Sequence, residues 1–128
     1  MKKYLEIYIG SRGLVEGIGE VEFENIEEHL EKEKKSNLDG MWDGYGDVDV
    51  DYKDEVEGMW NWEKEDNGYY LGLGDEEIKY YIDMENERLK EWIKGEQLGE
   101  ELYGETFWNW NDLSDEKIHS IVEYVLNY

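Results

Sequence analysis

Carboxylates at every second residue are the groups in this sequence whose type and spacing most directly suggest a chemistry. On a β-strand, residues i and i+2 lie on the same face about 6.6 Å apart, while one strand of a nucleic-acid duplex advances about 3.4 Å per phosphate along its axis. A row of such carboxylates could therefore enter a cationic groove that is built for phosphates. The alternative is a solvated strand face. The row consists of Asp47, Asp49 and Asp51, and it continues with Asp54, Glu55 and Glu57.

A second acidic group lies at the start of a predicted helix. Its members are Glu24, Glu27, Glu28 and Glu31, around a candidate N-cap at Asn25. Residues i and i+4 of a helix lie about 6 Å apart along its axis, and like charges at that spacing are mildly destabilising. Either a surface selected for binding a partner or a generally acidic composition explains this group equally well.

Trp residues form two pairs with the same one-residue spacing, Trp60 with Trp62 and Trp108 with Trp110. If each pair lies on a strand, both indoles share a face. The favoured interpretation is a place in the hydrophobic core, because buried aromatic side chains dominate core energetics. The functional alternatives are an interface with a partner or a stacking platform for sugars.

Metal and catalytic chemistry find little support. Asp-x-Asp-x-Asp opens an EF-hand loop, but Tyr52 stands where that loop needs glycine and Gly58 where it needs glutamate. The chain has no cysteine, and its two histidines, His29 and His119, belong to no recognised catalytic motif. The sequence therefore predicts no metal, no cofactor and no enzymatic activity.

The net charge of the whole chain supports a functional role for the acidic groups. The 128 residues carry 35 acidic and 13 basic side chains, a net charge of −22, whereas a small domain is typically designed with a magnitude of about 2–8. Self-repulsion at this level opposes the compact state. We therefore expect a strongly positive partner, and nucleic-acid-binding proteins are the class with the largest positive clefts. The same charge argues against direct binding to nucleic acid or to an anionic membrane surface.

Hydrophobic periodicity and turn residues predict a single α+β domain spanning residues 1–128, with an antiparallel sheet of about five strands and about three helices packed on one face. The predicted strands are Tyr4–Gly10, Leu14–Phe23 with a bulge near Gly17 or Gly19, Asp47–Tyr52, Glu57–Glu63 and Gly68–Leu73, and the last two are predicted to form a hairpin across Lys64–Asn67. The predicted helices are Asn25–Lys35, Asp75–Lys94 and one that begins after the N-cap Ser114, and Asn37–Gly46 is predicted to be a turn. The last helix has a predicted apolar stripe that consists of Ile118, Ile121, Val122, Val125 and Leu126. A strand at Glu77–Met84 followed by a helix from Asn86 is the alternative to the second helix.

The compartment is predicted from what the chain lacks. It shows neither a secretory leader pattern nor an apolar run of membrane-spanning length, so a cytoplasmic location is expected. The chain has no Pro and no Ala, and its 11 Lys far exceed its 2 Arg. This usage is typical of AT-rich genomes, as in many low-GC bacteria and their viruses.

Two short stretches are similar to known acidic proteins. The segment Ile7-Tyr8-Ile9-Gly10-Ser11-Arg12-Gly13-Leu14-Val15-Glu16-Gly17 resembles the opening strand and Gly turn of ArdA-type antirestriction proteins. The segment Asn37-Leu38-Asp39-Gly40-Met41-Trp42-Asp43 resembles a stretch of the barstar-type ribonuclease inhibitors. Both resemblances imply an acidic protein that occupies a nucleic-acid-binding site.

Charge and resemblance together predict a DNA-mimic inhibitor. Its expected partner is a positively charged nucleic-acid-binding protein, in particular a host defence nuclease of the restriction or CRISPR type, and its expected source is a phage or mobile element. Two alternatives stay open. One is an immunity protein that neutralises a cationic toxin, and the other is a carbohydrate- or ligand-binding module that uses the Trp pairs.

Overall fold

The computed structural model describes residues 1–45, 58–74, 76–95 and 113–126. It has an α+β fold in which three helices accompany a five-stranded antiparallel sheet. The elements are β1 (Lys2–Ile9), β2 (Val15–Phe23), α1 (Ile26–Tyr45), β3 (Trp62–Glu65), β4 (Gly68–Gly72), β5 (Ile78–Asp83), α2 (Glu87–Gly95) and α3 (Asp115–Leu126). The predicted strand Asp47–Tyr52 lies outside the described residues.

The sheet order is β2-β1-β5-β4-β3, and every neighbouring pair is antiparallel. β1 and β2 form a hairpin with a register shift where Tyr8 pairs with Gly17 and Ile9 with Val15. This shift leaves Glu16 as the extra residue of a bulge beside the predicted Gly17. β5 then enters between β1 and β4, so the last of the described strands occupies the centre of the described sheet.

The helices cover both faces of the sheet, and the expectation of one helical face is wrong. Strand side chains alternate between faces, and β1 has buried side chains at both sets of alternate positions. Leu5, Ile7 and Ile9 pack with apolar residues of α2 and α3, whereas Tyr4 packs with Ile26 and Leu30 of α1. We call these the α2–α3 face and the α1 face. A sheet with apolar side chains on both faces must pack against other elements on each face to remove these side chains from water.

α1 begins where the sequence predicts, but it ends at Tyr45, ten residues beyond the predicted end at Lys35. Asn25 Oδ1 accepts a hydrogen bond from the Glu28 backbone N–H at 3.1 Å, which satisfies one of the unpaired donors of the first turn. The helix continues through the segment predicted as a turn because Leu38, which is 9% exposed, extends the apolar stripe of Ile26 and Leu30. Tertiary burial here outweighs the low helix propensity of the glycines.

The segment Ile78–Asp83 is a strand, so the predicted helix Asp75–Lys94 is wrong and its alternative is confirmed. β5 hydrogen-bonds to β1 on one side and to β4 on the other. The helix starts only after Asn86, whose Oδ1 accepts hydrogen bonds from the backbone N–H groups of Arg88 at 2.8 Å and Leu89 at 3.3 Å. The described helix extends to Gly95, one residue beyond the predicted end at Lys94.

α3 matches its prediction in position and in buried face. Ser114 Oγ accepts a hydrogen bond from the Lys117 backbone N–H at 3.3 Å. The predicted apolar stripe is buried, and its members are Ile118, Ile121, Val122, Val125 and Leu126. His119 connects the helix to the first hairpin, since its Nε2 lies 3.0 Å from the Gly13 carbonyl oxygen.

β3 and β4 form the predicted hairpin with a tighter turn than expected. Glu65 pairs with Gly68, which leaves Asp66 and Asn67 as a two-residue loop, and β3 begins at Trp62 instead of Glu57. Gly68 is required for close packing, because a Cβ at this position would lie 3.0 Å from Leu126 Cδ2 and even closer to the Tyr81 carbonyl oxygen.

Candidate binding surface

Part of the predicted site lies outside the described residues. This part comprises Asp47, Asp49, Asp51, Asp54, Glu55 and Glu57 together with Trp108 and Trp110. The α1 glutamates and the first Trp pair are described, and the fold separates them into groups with different surroundings.

The four predicted glutamates at the start of α1 are all exposed, but they do not form one surface. Glu24 precedes the helix, and Glu28 forms an exposed ion pair with Lys32 at 3.3 Å. Glu27 and Glu31 instead approach aromatic side chains of the sheet. Only Glu24 and Glu28 therefore present carboxylates that are not engaged by the sheet aromatics.

Trp62 and Glu31 connect the sheet to α1. The indole Nε1 of Trp62 donates a hydrogen bond to Glu31 Oε1 at 2.7 Å. The Trp62 ring also packs against the α1-face cluster and lies 6.1 Å from the ring of Tyr69, centroid to centroid. This predicted interface residue is therefore half-buried in the packing between helix and sheet.

Glu27 influences the tyrosines beneath α1. Burial is the main cause that raises the pKa of Tyr69, and the negative charge of Glu27 adds to it. Burial also raises the pKa of Tyr4, which the nearby Lys2 partly offsets. These rings form an edge-to-face pair with centroids 6.3 Å apart. Glu27 therefore lies over an aromatic cluster of the α1 face.

Trp60 lies outside the regular strands, next to a glycine that makes room for it. The residue is half-buried, and its indole Nε1 packs against Gly74, where an added Cβ would collide with the ring. Gly74 also has a backbone φ of +73°, a conformation that side-chain-bearing residues rarely adopt. Trp60 and Trp62 therefore have separate surroundings and do not form one platform.

An acidic row with alternate spacing begins on β2, and of its members only Glu24 was among the predicted site residues. Glu20 and Glu22 lie on β2 and Glu24 directly follows its last residue, and all three are exposed, while Val21 and Phe23 between them pack against the α1-face cluster. We call these three residues the β2 edge row. The alternation Glu-Val-Glu-Phe-Glu was the available signal, the same pattern that drew attention to Asp47–Asp51. Because β2 is an edge strand, these charges also oppose pairing with other chains.

The β2 edge row is weakly neutralised. Among the described side chains, the one basic group within ion-pair distance of it is Lys3, 3.8 Å from Glu22, and both partners are more than half exposed. Surface ion pairs of this kind contribute about 0–1 kcal/mol. Between residues 13 and 31 the sequence contains seven glutamates and no lysine or arginine. The edge of the sheet therefore carries a concentrated negative field.

Within the described ranges, no group of three or more His, Cys, Asp or Glu side chains is arranged to hold a metal ion. None of the described helices has the length and apolarity needed to cross a bilayer. Comparison of this chain with protein-family models, with curated proteins and with solved structures finds no match.

Proposed function

We propose that this protein is an inhibitor that mimics nucleic acid. It binds a positively charged nucleic-acid-binding protein and occupies the cleft that would otherwise hold DNA or RNA. A host defence nuclease of the restriction or CRISPR type is the partner class that this chemistry fits best.

The β2 edge row is the observation that carries the proposal. Glu20 and Glu22 lie about 6.6 Å apart along β2, a length that holds about two phosphates of one duplex strand, and Glu24 follows directly after the strand. The row lies at an edge of the described sheet, in a chain with net charge −22. Cationic clefts attract such a surface over long distances, which accelerates association at low salt.

The surroundings of Trp62 argue against the sugar-platform alternative for the first Trp pair. Stacking on a sugar needs an open ring face, whereas Trp62 packs between α1 and the sheet and its indole N–H donates a hydrogen bond to Glu31. Trp60 packs against a different segment of the chain, beside Gly74. The acidic surface is therefore the stronger basis for a function than the aromatic pair.

The test is affinity capture with a charge-matched pair of variants. The immobilised protein is incubated with lysate of a low-GC bacterium, and bound proteins are eluted with rising salt or with duplex DNA and identified by mass spectrometry. The test variant combines Glu20→Lys, Glu22→Lys and Glu24→Lys. The control variant combines Asp66→Lys, Glu85→Lys and Glu123→Lys, which are exposed positions elsewhere and change the net charge equally.

Mimicry predicts capture of a nuclease or another DNA-binding enzyme, released by duplex DNA, and lost with the β2 variant but retained with the control. The association rate should fall at least tenfold in the β2 variant, because steering supplies about 10–1,000-fold in rate. A captured partner that DNA does not displace would refute mimicry and favour the immunity-protein alternative. Equal loss in both variants would show that total charge matters and the β2 edge row does not.

A further inference from the structure

A groove of about 620 Å³ opens where β4 ends and β5 begins. Its volume lies within the range of about 300–1,000 Å³ typical of ligand sites. The groove lies apart from the β2 edge row, because β3 and β4 form the opposite side of the sheet. Its lining includes Met59, Glu63, Tyr70, Gly72, Glu76 and Ile78.

The floor of the groove belongs to the α2–α3 face. Glu63 pairs with Tyr70 and Gly72 pairs with Ile78, and paired residues of antiparallel strands share a face. Tyr70 also lies edge-to-face against Tyr80, with the two ring centroids 5.6 Å apart. The Tyr70 ring is therefore oriented by its neighbour in the sheet.

Backbone hydrogen bonds hold one wall of the groove in place. The Gly72 N–H donates to the Asn61 carbonyl at 2.8 Å, and the Gly74 N–H donates to the Met59 carbonyl at 3.3 Å. A Cβ at Gly72 would lie 2.7 Å from that Met59 carbonyl oxygen. The glycines let the segment before β3 approach β4 closely, so the groove is bounded by fixed backbone on this side.

The lining combines an aromatic ring, apolar surface and negative charge. Met59 is 48% exposed, and the side chains of Glu63 and Glu76 are exposed at the rim. Glu77 is engaged with the Tyr8 hydroxyl, where it adds to burial in raising the pKa of that tyrosine. Among the lining residues that the structure describes, none is a lysine or an arginine. The groove therefore offers an aromatic surface and carboxylates to a cation.

We propose that this groove binds an arginine side chain presented by a protein partner. The guanidinium group is planar, stacks on aromatic rings and pairs with carboxylates through two parallel hydrogen bonds. Tyr70 would take the face of the guanidinium, Glu63 and Glu76 would take its N–H groups, and Met59 would contact the aliphatic stem. The identity of the partner as the cationic target rests on the proposed function, whereas the chemistry of the groove does not.

The test is a nuclear magnetic resonance titration of the full chain with two blocked tripeptides. The probe is acetyl-Gly-Arg-Gly-amide, and its control contains citrulline, a neutral isostere of arginine. We expect amide shifts confined to the groove and binding at least fivefold tighter for arginine than for citrulline. The double variant Glu63→Gln/Glu76→Gln and the single variant Tyr70→Leu should each weaken binding at least threefold, since exposed ion pairs and cation–π contacts are each worth a few-fold.

The double variant Glu20→Gln/Glu22→Gln is the matched control, because it removes the same charge from the β2 edge row. Retained arginine binding in this control supports the groove. Equal binding of the two tripeptides, or shifts that follow the β2 edge row and ignore the groove variants, would overturn the groove proposal and leave the proposed function standing. Specific arginine binding by a protein that captures no DNA-displaceable partner would instead preserve the groove and reject the mimicry.

Discussion

The hydrogen bond between Trp62 and Glu31 should be measurable as a coupling between helix α1 and the sheet. The pair joins residues 31 positions apart at 2.7 Å, and both had been candidates for a partner-binding surface. A double-mutant cycle with Trp62→Phe and Glu31→Ala isolates their interaction. The phenylalanine keeps an aromatic ring and removes the donor, and alanine keeps the helix while removing the acceptor.

We expect a coupling energy of about 1 kcal/mol. Hydrogen bonds to charged groups contribute about 1.5–3 kcal/mol, but this one is exposed to solvent, so competition from water and salt places it slightly below that range. The sign is destabilising for either single variant, and the double variant should be less destabilised than the sum of the two.

The assay is urea unfolding monitored by tryptophan fluorescence and circular dichroism. The m-values of the four proteins, the slopes of the free energy of unfolding against urea concentration, are compared to confirm two-state behaviour. Glu28→Ala replaces Glu31→Ala in a control cycle, because Glu28 lies on the same helix and pairs with Lys32. This control should be additive within about 0.3–0.5 kcal/mol. Coupling of the same small size in both cycles would refute the contact and return Glu31 and Trp62 to the candidate binding surface.

Three further outcomes follow from the structure. Gly74→Ala should destabilise the protein by about 3 kcal/mol, because the added methyl group would collide with the Trp60 ring at a backbone φ of +73°. Gly13→Ala, at a φ of +75° but with open space around it, should reduce the stability by only about 1 kcal/mol. Thermal unfolding of the two variants tests this difference. Burial, with the charge of Glu6, raises the pKa of Tyr81 above its ordinary value of 10.0. Above about pH 10 the unfolded chain loses the Tyr81 proton while the folded protein keeps it, so the free energy of unfolding should fall as pH rises. Tyr81→Phe should therefore show a smaller fall in the free energy of unfolding between about pH 9 and about pH 12 than the unsubstituted protein. Raising NaCl from about 10 mM to about 500 mM should increase the melting temperature by screening the self-repulsion, and a decrease would contradict that view of the net charge.

The elements whose identity could be read from sequence are those with local signals. α3 has a serine N-cap and an apolar repeat at i, i+3, i+4, i+7 and i+8, and both features are satisfied within 13 residues. The β3–β4 hairpin has turn residues between two runs of strand-forming residues. The first hairpin has alternating residues on both sides of a Gly turn. Each of these patterns refers only to neighbours in the chain.

Other features depend on residues that are distant in sequence. Tyr80, Tyr81 and Ile82 are compatible with a buried helix or with a strand, and the choice was made by β1 and β4, which supply hydrogen bonds on both sides. The extension of α1 depends on the burial of Leu38 against the rest of the fold. The arrangement of helices on both faces likewise depends on which apolar stripe meets which side of the sheet.

The candidate site divides in the same way. Composition by itself determined the net charge of −22, the absence of cysteine and the supply of exposed carboxylates, because these quantities are sums over residues. Tertiary structure decided which carboxylates are available to a partner: Glu31 is engaged by an indole from β3, and the exposed Glu20, Glu22 and Glu24 lie on or directly after an edge strand of the described sheet. It also assembled the groove around Tyr70 from segments on both sides of β4. Charge is additive along a chain, whereas a surface exists only once the chain has brought its distant parts together.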